Sequence, residues 1–203
     1  MITIVDYGVG NIGALENMFD FLGVDCTVSN RPEDVGNADK LLLPGVGAFD
    51  TAVNALNRQN LIPALNYAVC RRKRPILGVC LGMQLLCRGS QEGDLPGLGW
   101  IDADVRRLEV PSGSKLKVPH IGWADVRPIR ETNLFPKIHS MERFYFVHSY
   151  HVCCDRPNDV AAVVDFGREI CCSVSAGNIY GVQFHPEKSH RFGMRLLKAF
   201  GDL

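Results

Sequence analysis

Up to residue 88, short apolar runs alternate with stretches whose apolar residues recur at helical spacing. Residues 2–6 (ITIVD) are apolar and β-branched, the composition of a strand buried on both faces. Ile12, Leu15, Met18, Phe19 and Leu22 then mark one face of a helix that Gly23 stops. Further strands are expected at 26–29, 40–43 and 76–79. Helices are expected at 49–58 and 61–72, where Pro63 falls in a tolerated first turn. Alternation of this kind predicts a parallel sheet with helices on both faces. Past the loop at 92–97 the texture changes to short strands separated by turns, at 99–108, 115–120, 123–127, 143–148, 160–165, 170–174 and 179–184. A last helix covers 190–200. The expected class is therefore α/β: an open, mixed but mainly parallel sheet flanked by helices, with additional antiparallel strands in the second half. No repeat or long linker divides the chain, so residues 1–203 are expected to form a single domain.

Composition narrows the function. Twenty-two acidic residues balance twenty-two basic ones, so no net field draws the chain to nucleic acid or to an anionic membrane. A small neutral or zwitterionic substrate, or a protein partner, fits better. The basic run 71–74 precedes Pro75 and reads as the end of a helix complementing its dipole. Eight cysteines are present, but the chain starts directly on a strand, without a signal peptide or an apolar run of membrane-spanning length. The expected setting is a reducing cytoplasm, with thiols rather than disulfides. No C-x-x-C pair offers a familiar zinc spacing, and neither a metal nor a cofactor is expected. Cys153-Cys154 and Cys171-Cys172 are adjacent pairs within apparent strands, so the two members of each pair face opposite sides and read as structural thiols.

Candidate chemistry lies at the carboxyl ends of the predicted parallel strands, where open α/β sheets carry their sites. The stretch 75–84 (PILGVCLGMQ) runs from a strand into a helix through Gly78-Val79-Cys80-Leu81-Gly82. Glycines two residues either side of a nucleophile suit a sharp strand-to-helix elbow. The helix N-terminus behind it favours an anionic sulfur, and Leu81, next in the chain, supplies an oxyanion N–H. Cys80 is thus a candidate nucleophile; the plain alternative is a buried apolar cysteine. Pro44-Gly45-Val46-Gly47 ends another strand, where glycines allow a ligand close or let a peptide flip. Gly8-Val9-Gly10-Asn11-Ile12-Gly13 matches G-x-G-x-x-G, but no acid follows the second strand to hold a ribose. A tight turn packed on its neighbours, or a backbone surface for a partner, fits that stretch better than a nicotinamide site. The strand at 179–184 ends at His185, and Glu187 follows two residues on. If extended spacing persists, both side chains point the same way, with Glu187 holding the imidazole that faces Cys80.

Taken together, GVCLGMQ (78–84), PGVGAF (44–49), FYFVHSY (144–150) and GVQFHPEKS (181–189) resemble the class I, triad-type glutamine amidotransferases, whose fold is flavodoxin-like. DYGVGN (6–11) and VPHIGW (118–123) resemble those members that serve a (βα)8-barrel cyclase of histidine biosynthesis. The resemblance covers essentially the whole chain. It implies hydrolysis of L-glutamine by the triad Cys80, His185 and Glu187, with ammonia passed to a cyclase subunit in a heterodimer. It also implies an oxyanion hole from Leu81 and, after a peptide flip that Gly47 permits, Val46. Gln84, Glu92, His148, Ser149 and Tyr150 would then line the glutamine pocket, with Glu92 on the α-ammonium. Asn11, Trp123, Tyr145 and Lys188 would face the cyclase; as plain alternatives, Trp123 and Tyr145 read as core aromatics and Lys188 as a solvated charge. The sequence departs from the pattern at Ala124, where asparagine is usual, and in its paired cysteines. Three other readings stay open: a paralogue supplying ammonia for amidination of a bacterial surface sugar, a non-catalytic regulatory binding module, and a γ-glutamyl hydrolase acting alone.

Overall fold

The computed structural model describes residues 1–111, 113–138 and 141–203. Its parallel half is built from β1 (Ile2–Val5), α1 (Ile12–Phe21), β2 (Cys26–Ser29), α2 (Pro32–Asn37), β3 (Lys40–Gly45), α3 (Phe49–Arg58), α4 (Leu61–Asn66), β4 (Ile76–Cys80) and α5 (Leu81–Leu85). Every residue of β1 and β4 is buried, as the unbroken apolar runs require of strands covered on both faces. α2 was not expected, although its signal was legible: Pro32 opens it and Glu33 and Asp34 fill the first turn. The helix expected at 61–72 is α4 followed by a wider π-turn at Tyr67–Arg71.

The second half supplies β5 (Ala103–Arg107), β6 (His120–Pro128), β7 (Glu142–His148), β8 (Tyr150–Cys154), β9 (Val160–Asp165), β10 (Glu169–Ala176), β11 (Ile179–Val182) and α6 (His190–Gly201). The sheet runs β2-β1-β3-β4-β11-β10-β9-β6-β7, with β8 pairing β10 and β5 off this path. The pairings from β2 to β11 are parallel and the rest are antiparallel. β11 therefore crosses back to lie against β4, and this joins the two halves of the sequence at one strand pair.

Three strand expectations need correction. Residues 115–119 belong to no strand, and of the stretch 115–120 only His120 is in one, as the first residue of β6. The strand expected at 99–108 is only Ala103–Arg107. Upstream of it, the N–H groups of Leu98, Gly99 and Trp100 donate to the carbonyls of Leu85, Cys87 and Leu86, closing the end of α5. The strand expected at 179–184 stops at Val182.

Two apolar layers sandwich the sheet. One gathers Phe49, Leu56, Leu61 and Leu65 from α3 and α4; the other gathers Leu15, Phe19, Leu196, Leu197 and Phe200 from α1 and α6. Cys171 belongs to the first layer and Cys172 to the second, as strand alternation requires. No helix among the described residues is long and apolar enough to cross a membrane.

Candidate active site

β4 passes into α5 without an intervening residue, and Cys80 makes the turn with φ 55° and ψ −110°. A non-glycine residue held there costs about 1–3 kcal/mol. The surroundings enforce it: β3 and β11 grip β4 on either side, with Gly45 opposite Cys80 and Val182 opposite Val79. The elbow is also closely packed. A Cβ on Gly82 would lie 1.9 Å from the Leu43 carbonyl oxygen, and one on Gly78 would lie 2.6 Å from the Gly82 carbonyl oxygen. Only glycine fits at either position. Leu81 is the first residue of α5, so its N–H has no acceptor within the helix.

His185 and Glu187 approach from the neighbouring strand, but not by the extended spacing expected. β11 ends at Val182, and Pro186–Lys188 form a short 3₁₀ turn that brings Glu187 Oε1 to 2.8 Å from His185 Nδ1. Both side chains are buried. The backbone of His185 is fixed twice, its N–H donating to the Tyr145 carbonyl at 2.9 Å and its carbonyl accepting from Ser189 Oγ at 2.6 Å. Burial pulls the imidazole pKa down. Hydrogen bonding and charge from Cys80 and Glu187 outweigh that and carry it up to about 9. Nε2 is buried without a complete hydrogen bond among the described residues. Cys80 is near enough to raise the imidazole pKa, and Nε2, without a partner of its own, is free to tighten onto a reacting group.

A cavity of about 340 Å³ opens over Cys80. Of the residues singled out in the sequence, Val46, Gly47, Cys80, Leu81, Gln84, Glu92, His148, Ser149, Tyr150, His185 and Lys188 line it. Glu187 stands behind His185. Glu92 already accepts the Phe49 N–H at 3.0 Å, which ties its loop to the start of α3 and leaves its other oxygen for a ligand. Gln84 Nε2 donates to the Tyr150 carbonyl at 3.2 Å and to Gln183 Oε1 at 3.0 Å, so its own oxygen is what it offers the cavity.

The His148 ring has partners of its own. Burial pushes its pKa down to about 3. Its Nδ1 lies 2.8 Å from the Tyr150 carbonyl, so Nδ1 carries the proton and Nε2 accepts from His120 Nδ1 at 3.0 Å. Both nitrogens are engaged, and the ring serves as wall.

The 44–47 turn combines a fixed end and a loose end. The Tyr7 hydroxyl donates to the Pro44 carbonyl at 2.5 Å, and a Cβ on Gly45 would lie 2.7 Å from Gly82 N. Gly47, by contrast, has φ +92° and nothing within 4 Å of where a Cβ would stand, and Val46 is 44 % exposed. The G-x-G-x-x-G stretch packs here: Gly10, at φ +124°, presses against Pro44, whose Cβ would lie 2.8 Å from an added Cβ. The glycine is thus required by packing between two turns.

Trp123 is 40 % exposed and is no core aromatic; it stacks on His190 at 5.4 Å and meets the Tyr145 ring edge-on at 6.1 Å. Lys188 Nζ lies 5.7 Å over that same Tyr145 ring. These three form one patch beside the cavity mouth, and Asn11 is exposed at the start of α1. Sequence reasoning missed Gln183, Tyr7, His120 and Ser189. Of these only Gln183 left a signal, because it precedes His185 by two residues at a strand end.

The family described as glutamine amidotransferase class-I matches residues 3–202. Curated relatives include imidazole glycerol phosphate synthase subunit HisH 2 of Methanococcus maripaludis, 45% identical over 98% of both chains. The HisH subunit of Bdellovibrio bacteriovorus is 45% identical over 100% of both, and HisH 2 of Pseudomonas aeruginosa is 44% identical over 100% of both. Among solved structures, PurLQS from Thermotoga maritima superposes with a TM-score of 0.71 at 17% identity, covering 98% of this chain and 96% of that one. At that identity the likeness speaks for the fold.

Proposed function

This chain belongs to the class-I glutamine amidotransferase family, and from that premise we infer that it is the glutaminase subunit of a two-subunit imidazole glycerol phosphate synthase of histidine biosynthesis. The substrate we assign is L-glutamine. The partner is a (βα)8-barrel cyclase that takes the ammonia and forms imidazole glycerol phosphate and aminoimidazole carboxamide ribotide. The observation that carries the reading is a strained elbow cysteine facing a buried His185–Glu187 pair in a chain whose full length aligns with HisH subunits.

In this mechanism Cys80 Sγ attacks the side-chain amide carbon of glutamine, and the carbonyl electron pair moves to oxygen. The Leu81 N–H receives that oxyanion, together with an N–H from the turn holding Val46 and Gly47; one such donor is worth about 3–4 kcal/mol in the transition state. His185, held by Glu187, gives its proton to the leaving nitrogen as the C–N bond breaks. Water then adds to the thioester and loses a proton to His185; the C–S bond breaks, its electron pair returning to sulfur, and glutamate is released. Glu92, Ser149 and Tyr150 hold the amino-acid end against the His148 ring, and Gln84 presents an acceptor oxygen. Trp123, Tyr145, Lys188 and Asn11 face the cyclase.

The loose Gly47 end of the oxyanion turn, beside a clamped Gly45, supports control by the partner: a single peptide rotates while the elbow stays still. Glutamine is offered to the chain with the histidine-pathway cyclase and its ribulosyl substrate. Imidazole glycerol phosphate should appear, and glutamate release should exceed that of the chain alone. A chain that stays silent there but turns over with a sugar-amidating partner would overturn the assignment of the ammonia acceptor. Equal turnover with and without a liganded partner would refute the switch.

A further inference from the structure

Gln183 lies one residue past β11, fully buried, with its N–H on the Cys172 carbonyl at 2.9 Å. Its side chain reaches across to the elbow and brings Nε2 to 3.7 Å from Cys80 Sγ. The orientation of this amide follows from its neighbours. The Tyr150 carbonyl can only accept, so the facing group of Gln84 must be its NH₂. The second N–H of that NH₂ points at Gln183 and takes its oxygen as acceptor. Gln183 is left with its own NH₂ toward the sulfur. Turning it over would set two NH₂ groups against each other and a lone pair against Cys80.

We propose that Gln183 is a fourth catalytic residue, whose amide N–H holds the Cys80 sulfur whenever that sulfur carries charge, in an orientation locked by Gln84 and the Tyr150 carbonyl. The inference rests on Cys80 being the nucleophile. The sulfur is anionic before it attacks the amide and again as the thioester C–S bond breaks, and at 7 % exposure water does little to solvate it. A hydrogen bond to a charged acceptor in such surroundings is stronger than a neutral one. His185 carries its proton at both of those moments, but that proton is committed to transfer, going to the leaving nitrogen after the attack and returning from water before the C–S bond breaks. Gln183 neither gives nor takes a proton, so its donor stays in place throughout. The arrangement also couples pocket and nucleophile, because Gln84 both faces the cavity and fixes Gln183.

The test uses the chain in complex with its cyclase and two variants. Gln183→Leu and Gln183→Met both remove the donor without adding charge and leave different shapes in the same buried place. Both should lower the rate of Cys80 alkylation by iodoacetamide near neutral pH, and glutaminase kcat, by about ten- to hundredfold. KM for glutamine should stay within about threefold. The pH profile of alkylation should move to higher pH, which a packing role alone would not cause. Unchanged alkylation profiles and kcat in both variants would overturn the proposal, as would a loss confined to KM. Cys80→Ala run in parallel separates the two readings. If it leaves turnover intact, the nucleophile assignment itself fails; if it abolishes turnover while the Gln183 variants behave as wild type, only the role of Gln183 fails. Thermal unfolding of the two variants, neither of which adds buried charge, shows whether a loss reflects folding.

Discussion

Cys80 and Cys172 belong to the same apolar layer, two strands apart on β4 and β10, and they have opposite characters. Cys172 sits in β10, where the register against β9 shifts, with no exposed surface, and burial drives its thiol well above the ordinary range. Cys80 is nearly as buried, but it occupies a left-handed turn, opens onto a cavity and has His185 and the Gln183 amide beside its sulfur. Burial alone makes a thiol inert, whereas donors aimed at a buried sulfur favour its anion, which is what the nucleophile proposed at Cys80 requires. The chain has eight cysteines of one chemical type, so the difference lies in backbone geometry and neighbours.

Removing each thiol in turn should give the largest difference between them. Cys80→Ala should lower glutamine turnover by about 10⁴-fold or more. Cys172→Ala should leave kcat within about threefold and cost about 1–2 kcal/mol of stability in denaturant melts. Comparable activity losses would show that the two thiols do not differ in role.

Packing at the elbow gives the next largest effect. Gly82→Ala sets a Cβ against the Leu43 carbonyl and should cost more than about 2 kcal/mol, or displace the elbow and abolish turnover. Two strands away in β10, Ser173→Ala removes the hydroxyl that donates to the Gly181 carbonyl at 2.8 Å and should cost about 1 kcal/mol with turnover kept. Melts of the two variants compare a site that tolerates no atom with one that loses only a bond.

The remaining contrast is a pH slope confined to the Cys80 side. The His185 pKa is raised in the folded chain, from 6.5 to about 9, so the folded state holds a proton that the unfolded state releases. The resulting stabilisation is complete below pH 6.5 and is lost as pH rises through about 9. Urea melts across that window should show a declining contribution in the wild type and in Cys172→Ala, and none in His185→Phe. A His185→Phe slope equal to the wild-type slope would place the titration elsewhere.

The central strands, the helices packed on them and the elbow were legible because their signals are local: unbroken apolar runs, helical periodicity, and glycines flanking Cys80. α2 was legible too, in Pro32, Glu33 and Asp34, and its short length hid it. Residues 98–101 misled, because their apolar side chains are equally suited to a strand and to closing the end of α5. The pairing of His185 with Glu187 was correctly anticipated on the wrong geometry. Spacing in the chain suggested an extended segment, whereas Pro186 initiates a turn that Ser189 and Tyr145 stabilise.

The sequence by itself determined the order of strands and helices, the place of the elbow, and the residue types available for nucleophile, base and acid, since each follows from periodicity or from chemistry within a few residues. Only the tertiary structure decided which thiol has donors, which nitrogen of His148 carries the proton, that Trp123 is exposed, and that the Gln183 amide points at Cys80. Those properties depend on β11 returning to lie beside β4 after about a hundred intervening residues. The hydrogen bonds that orient Gln183 come from α5 and β8, far from it in the chain, and no local pattern encodes their direction.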